Sequence, residues 1–183
     1  MFTHAKMLIM MGGSVEYTNL FSLGECETIT GWTKNSAVTI ATDSDNEYAG
    51  TNCIKITLNA GQAVGGAYKD VTSIIDKAKY YLISAYLKNA NVTNGIRIQC
   101  VCTGDVGAIN SDYNVTTDYV RKGVITQPTD YDGATAISVY AQVIGAETQY
   151  GYFDNYMINE ITAADYAAGL AACLTKYPYK APV

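Results

Sequence analysis

Apolar and polar residues alternate with a period of two along much of the chain between residues 37 and 159. This spacing is typical of β-strands that bury one face and expose the other. The pattern predicts strands at residues 37–41, 53–58, 80–88, 96–102, 119–126, 136–144 and 152–159. Turn clusters such as Asn59-Ala60-Gly61 and Gly65-Gly66 separate these runs. Short strands at this spacing predict an all-β fold, a two-sheet antiparallel jelly-roll sandwich, and argue against a βαβ arrangement.

The two ends of the chain depart from this alternation. Residues 1–18 contain an apolar run of about five residues, shorter than the core of a signal peptide and far too short to span a membrane. We therefore expect an N-terminal arm at 1–18, with no membrane insertion, followed by one sandwich at 19–160. At 161–183, Thr162 and Asp165 resemble a capping pair before an alanine-rich run that Pro178 ends, which predicts a short C-terminal helix and a tail.

The charge and cysteine content exclude several classes of function. Charged residues make up 16% of the 183 residues and the formal net charge is −5, so no electrostatic footprint for nucleic acid is present. The 5 cysteines show no metal-ligand spacing, and the single histidine is His4. This pattern argues against zinc and predicts free, mostly buried thiols in a chain that folds in a reducing cytoplasm.

Catalytic motifs are also missing from the sequence. There is no GxSxG elbow, phosphate loop or GxGxxG after a strand, and His4 lies far in sequence from every cysteine. The acidic group Asp43, Asp45 and Glu47 has no second, opposed carboxylate cluster of the kind that a glycosidase needs. We expect that the protein is not an enzyme and has no organic cofactor.

Calcium is the one metal that the residues allow, because it needs only clustered oxygen ligands. The acidic turn is not an EF-hand, since Ile54 stands where the bidentate glutamate would be required. A sandwich-type site formed by Glu27, Asp43 and Asp154 is a possible alternative. A solvated loop with a strand-edge aspartate is the simpler reading.

Strand parity indicates a candidate binding face. If the strands at 80–88, 96–102 and 136–144 share a sheet, they display one set of polar and aromatic side chains together. The candidate contact residues are Tyr86, Arg97, Gln99, Tyr140 and Gln142. Tyrosine rings beside amide and guanidinium groups suit a neutral sugar, although any antiparallel sheet also has a solvated face. Trp32, the single tryptophan, is assigned to the core.

Short motifs in a set order resemble those of carbohydrate-binding-module-like jelly-roll domains, which occur in glycan-active enzymes and in tailed-phage structural proteins. These motifs are Asn19-Leu20-Phe21, Gly31-Trp32, Tyr48-Ala49-Gly50-Thr51, Ile54-Lys55-Ile56, the run at 79–88 and the run at 153–160. The tail from Asn159 to Tyr179 is similar to the ending of such domains in virion proteins, where the last strand continues into a short helix.

This resemblance implies a non-enzymatic phage virion structural protein, made in the host cytoplasm and exposed on the particle surface. Capsid decoration is the first expectation, and a tail fibre or baseplate component is the alternative. The implied partners are the major capsid protein or other virion proteins, with a homo-oligomer as a further possibility. The second hypothesis is a polysaccharide-binding module whose partner is a host cell-surface polysaccharide.

Overall fold

The computed structural model describes residues 17–21 and 26–179. Within these residues the chain forms ten strands, two short α-helices and one turn of 3-10 helix at Pro128–Tyr131. The strands are β1 (Thr33–Lys34), β2 (Val38–Asp43), β3 (Cys53–Leu58), β4 (Val64–Asp70), β5 (Tyr80–Asn89), β6 (Ile96–Thr103), β7 (Gly107–Asn110), β8 (Val120–Thr126), β9 (Ala136–Ile144) and β10 (Tyr150–Ile161). The helices are α1 (Ala163–Ala168) and α2 (Leu170–Lys176).

The strands form two antiparallel sheets of five strands each. The front sheet has the order β1-β4-β9-β6-β7, and the back sheet has the order β2-β3-β10-β5-β8. The chain crosses between the sheets repeatedly, since β4, β6 and β9 are in the front sheet whereas β5, β8 and β10 are in the back sheet. This arrangement confirms the predicted all-β two-sheet sandwich.

Alternate side chains of each strand fill the space between the sheets. In β9, the side chains of Ile137, Val139, Ala141 and Val143 are buried, whereas Tyr140 between them is only half-buried. Because side chains alternate across a strand, the half-buried set of β9 lies on the outer face of the front sheet. The alternation of side chains along a strand therefore decides which residues face solvent and can contact a binding partner.

Trp32 belongs to the core, as the sequence predicts. Its side chain is 8% exposed and packs edge-on against Phe21 and Tyr156, with ring centroids 6.0 and 5.3 Å away. The five cysteines are likewise buried free thiols, which confirms the prediction made from their spacing.

The assignment of Gly65-Gly66 to a turn is wrong, because both glycines lie inside β4. A Cβ atom on Gly65 would lie 2.4 Å from Cγ1 of Val38, and one on Gly66 would lie 2.4 Å from the carbonyl oxygen of Ala141. Close packing, and not a reversal of the chain, therefore requires glycine here. As a result β4 pairs with β9 and adds Tyr68 to the front sheet.

The predicted single C-terminal helix is two short helices. Thr162 caps α1 as expected, since its Oγ1 accepts a hydrogen bond from the backbone N–H of Asp165 over 3.1 Å. Gly169, at φ +89°, then separates α1 from α2, because this conformation is incompatible with a continuous α-helix. Among the described residues, no helix is long and apolar enough to cross a membrane.

The two helices pack on the outer face of the back sheet. Leu82 of β5 and Cys173 of α2 belong to a small apolar cluster beneath them. Arg121 of β8 fastens this packing, because its guanidinium donates hydrogen bonds to the carbonyls of Leu174 and Tyr177 over 2.8 and 2.6 Å. Part of the back face is therefore covered by the C-terminal helices.

The predicted N-terminal arm at 1–18 lies outside the described residues except for Tyr17 and Thr18. Tyr17 contacts the C-terminal segment, since its ring centroid lies 4.4 Å from that of Tyr177. The strands run from Thr33 to Ile161, so β10 ends one residue beyond the sandwich predicted at 19–160, and the domain bounds stay a prediction.

We predict that Arg121→Met destabilises the fold by about 2–3 kcal/mol, because hydrogen bonds from a charged donor to two partly buried carbonyls are lost. Urea denaturation measures this change, and limited proteolysis reports whether the C-terminal helices are released. Lys122→Met, on the same strand, is the matched control and should change the free energy of unfolding by less than about 0.5 kcal/mol. Equal effects of the two substitutions would show that Arg121 does not hold the helices.

Candidate functional site

Four of the five predicted contact residues lie together on the front sheet. Arg97 and Gln99 are on β6, and Tyr140 and Gln142 are directly opposite them on β9. Tyr86 is on β5 in the back sheet, so the premise that these three strands share a sheet is wrong. The jelly-roll connection places β5 and β6 in opposite sheets, which parity along a single strand does not reveal.

The first element of the site is a fixed arginine. Arg97 is directly opposite Gln142, and its Nε donates a hydrogen bond to Oε1 of Gln142 over 2.8 Å. The guanidinium carbon also lies 4.8 Å from the ring centroid of Tyr113, which is 38% exposed. The guanidinium is thus held between the amide of Gln142 and the ring of Tyr113, and stacking on an aromatic ring is favourable for arginine.

The second element is a line of four side chains across the sheet. Tyr68, Tyr140, Gln99 and Asn110 are successive partners in the registers of β4, β9, β6 and β7. The rings of Tyr68 and Tyr140 stack with centroids 4.8 Å apart and planes inclined by 20°. Gln99 is only 6% exposed and its amide donates to Oδ1 of Asn110. Gln99 therefore positions Asn110, and Asn110 is the amide presented to solvent.

The two elements form one continuous surface, which we call the front face and define by Tyr68, Arg97, Asn110, Tyr140 and Gln142. Asn110 is exposed and the other four are half-buried, so each offers part of its side chain to solvent. Burial, and then the neighbouring Tyr68, raises the pKa of Tyr140, so its phenol keeps its proton at neutral pH. The face therefore combines neutral hydroxyl and amide groups with one cationic group.

Tyr86 has a different environment on the back sheet. Its ring stacks on Tyr48 with centroids 3.8 Å apart and planes inclined by 15°, and Tyr119 meets Tyr48 edge-on at 5.4 Å. Burial, followed by the hydrogen bond and charge of Tyr48, raises the pKa of Tyr86 to about 12. One ring face of Tyr86 is therefore used to hold the loop between β2 and β3.

Two of the three predicted calcium ligands lie beside that same loop. Oδ2 of Asp154 accepts hydrogen bonds from the backbone N–H groups of Tyr48 and Ala49 over 2.8 and 3.2 Å. Oε1 of Glu27 accepts from the N–H of Thr51 over 2.8 Å, and its Oε2 accepts from Oγ1 of Thr51 over 2.5 Å. Both carboxylates are thus satisfied by donors of the loop and fix its conformation.

The third predicted ligand, Asp43, has a separate role. Its Oδ1 accepts hydrogen bonds from the N–H of Asp45 and the amide of Asn46 over 3.1 and 2.9 Å, so its carboxylate stabilises a local turn of the backbone.

The burial of Asp154 affects its ionisation. Burial raises the pKa of Asp154 to about 6, although hydrogen bonds from three backbone N–H groups act to lower it. Within the described residues, no group of three or more His, Cys, Asp or Glu side chains is arranged to hold a metal ion. Calcium binding at Glu27, Asp43 and Asp154 stays a prediction.

Three residues of the site could not be predicted from the alternation of apolar and polar residues. Tyr68 is hidden because the glycine pair interrupts the alternation of β4, and Asn110 lies on β7, a strand of four residues that the alternation does not mark. Tyr113 follows β7 in a loop and reaches Arg97 only through the fold. The one available signal is compositional, since Tyr68 and Tyr113 belong to a set of 16 tyrosines in a chain with 3 phenylalanines.

No protein-family model matches the chain, and no curated protein matches it in sequence. Solved structures do match it. The CBM22-1 xylan-binding domain of Xyn10C from Paenibacillus barcinonensis superposes with a TM-score of 0.60 and 18% identity, covering 81% of this chain and 94% of that domain. A second carbohydrate-binding module, Family 16 module 2, gives a TM-score of 0.59 at 19% identity over 76% of this chain and 99% of that one.

A phage protein has a similar domain. The enzymatically active domain of tailspike protein 4 from bacteriophage CBA120 matches with a TM-score of 0.59 and 15% identity, over 78% of this chain and 21% of that chain. At these identities the likeness establishes the fold alone. The chain has the carbohydrate-binding-module-like jelly-roll fold, as the sequence motifs led us to expect.

Proposed function

We propose that this protein binds a polysaccharide through the front face. The observation that carries the proposal is the stacked pair Tyr68 and Tyr140, with Arg97, Gln142 and Asn110 beside it on one rigid sheet. Aromatic rings provide apolar surface for the C–H groups of a sugar, and planar amide and guanidinium groups match its hydroxyls. Tyrosines on paired strands lose little conformational freedom when a ligand binds, which favours affinity.

Similar structures support this proposal. One of them is described as xylan-binding and another as a carbohydrate-binding module, and each covers at least 76% of the present chain. The position of the face also supports it, because the helices and the loop held by Tyr86 lie on the back sheet.

A role in binding without catalysis is part of the proposal. Hydrolysis of a glycosidic bond requires two carboxylates opposed across the sugar. The side chains that define the front face are tyrosine, asparagine, glutamine and arginine, with no carboxylate among them.

We predict that Tyr140→Ala weakens polysaccharide binding at least tenfold, because half of the ring platform is removed. Affinity electrophoresis through gels containing xylan, mixed-linkage glucan or bacterial surface polysaccharides measures the change. Tyr48→Ala is the matched control, since it removes a tyrosine that is 45% exposed and stacks on Tyr86 of the back sheet. A loss caused by Tyr48→Ala but not by Tyr140→Ala would move the site to the other sheet.

We further propose that this binding module is displayed on a phage particle, as a capsid decoration protein or as part of a tail fibre or baseplate. The similar domain in the phage tailspike supports a virion setting, and binding of a host-surface polysaccharide would suit an exposed position. Virion proteins such as the major capsid protein would then be its partners. Each of many copies on one particle would make a weak glycan contact, and together these contacts would attach the particle firmly to its host.

Mass spectrometry of purified particles tests this placement, and the chain is expected among the virion proteins. If the chain is absent from particles while it is present in infected cells, the virion proposal fails. That result would leave the polysaccharide proposal standing.

A further inference from the structure

Arg97 is the one charged residue in the central part of the front face. The outward positions of β4, β6, β7 and β9 share the parity of Tyr68, Arg97, Asn110 and Tyr140. They are Val64, Gly66, Tyr68, Asp70, Arg97, Gln99, Val101, Thr103, Ala108, Asn110, Ala136, Ser138, Tyr140, Gln142 and Ile144. Only Arg97 and Asp70 of this set are charged, and Arg97 is its single cationic group. Asp112, in the segment that follows β7, is exposed but forms no ion pair with Arg97 among the described residues.

Asp70 is too far away to neutralise Arg97. It is opposite Ser138 of β9, four residues along the strand from Gln142, and one strand, β9, lies between β4 and β6. Strand rise and spacing put the two residues about 16 Å apart. Oδ1 of Asp70 also accepts a hydrogen bond from the N–H of Thr72 over 2.8 Å. Among the described residues, the ion pairs are Lys79 with Glu160 and Lys176 with Asp165, and Arg97 has none.

The guanidinium of Arg97 is fixed so that one edge stays available. Its Nε is used by Gln142, and the ring of Tyr113 lies beside its carbon atom. The edge formed by the two terminal nitrogens makes no hydrogen bond within the described residues. This edge presents two parallel N–H donors, the geometry that binds a carboxylate with two hydrogen bonds.

We infer that the front face recognises a polysaccharide that carries carboxylate groups, and that Arg97 is the residue that selects a sugar acid over a neutral sugar. This inference rests on the proposed polysaccharide binding and names its substrate class. Gln99 is opposite Tyr140, and Arg97 is two residues from Gln99 along β6. Arg97 therefore lies about 7 Å along the strand direction from the line that contains Tyr68 and Tyr140. This separation matches a sugar ring on the platform whose carboxylate points to Arg97.

The negative charge of the whole chain does not oppose this recognition. The formal net charge is −5, but at physiological ionic strength charges separated by more than about 8 Å are largely screened. Asp70 lies at about twice that distance, and neither Asp70 nor Asp112 forms an ion pair with Arg97 among the described residues. One carboxylate held in this way differs from the extended phosphate chain of a nucleic acid, which requires many cationic contacts.

The test compares matched polymers that differ only in charge. Glucuronoxylan, polygalacturonate and hyaluronate are each used beside a derivative whose carboxyl groups have been reduced to alcohols. The wild-type protein should bind at least one acidic polymer about tenfold more tightly than its reduced derivative, because charge-assisted hydrogen bonds are about twice as strong as neutral ones. This preference should diminish as the concentration of NaCl increases.

Arg97→Gln keeps a polar side chain and removes the charge. This variant should bind the acidic polymer and its reduced derivative with equal affinity, because the charge that distinguishes the two forms is gone. Tyr140→Ala should weaken binding of both forms, because it removes part of the platform that both use.

The outcomes separate the two proposals. If the wild type binds an acidic polymer and its reduced form equally, the carboxylate inference is overturned and polysaccharide binding stands. If Arg97→Gln retains the preference for the acid, the role of Arg97 is overturned. Absence of binding to every polymer and to the surface polysaccharides named above would overturn both proposals.

Discussion

The pairing of β9 with β4 on one side and with β6 on the other is the interaction on which the front face depends. Side chains of directly opposed residues in an antiparallel sheet lie about 5 Å apart, so the register decides which residues meet. The observed registers bring Tyr68, Tyr140 and Gln99 into one line and put Arg97 beside Gln142. A shift of β9 by one residue would send Tyr140 and Gln142 into the core and bring Val139 and Ala141 to the surface.

The two outer faces of the sandwich have different relationships to the rest of the chain. The back face is partly covered by the chain itself. Arg121 holds α2 and Tyr177 against it, and Tyr48 stacks on Tyr86. The front face holds its side chains by contacts within the sheet, such as the bond of Arg97 to Gln142. Its groups are therefore ordered before a ligand arrives, which reduces the entropy that binding costs.

The fold could be predicted well from the sequence because its main signal is local. Alternation along a strand depends only on which side chains meet the core, and it correctly assigned Arg97, Gln99, Tyr140 and Gln142 to one face. The sheet to which each strand belongs depends on crossings between distant segments, and for that reason the prediction that Tyr86 shares this face is wrong. The glycines of β4 hid Tyr68, since a residue without a side chain leaves no trace in a hydrophobic pattern even where close packing requires it.

The central claim is that a glycan binds on the front sheet, and an NMR titration tests it most directly. Backbone amide signals of the isotopically labelled protein are followed while acidic oligosaccharides, such as those prepared from glucuronoxylan, are added. The account predicts that shift changes concentrate on β4, β6, β7 and β9 around Tyr68, Arg97, Asn110 and Tyr140. Changes confined to β5, β8, β10 and the loop that contains Tyr48 would contradict it.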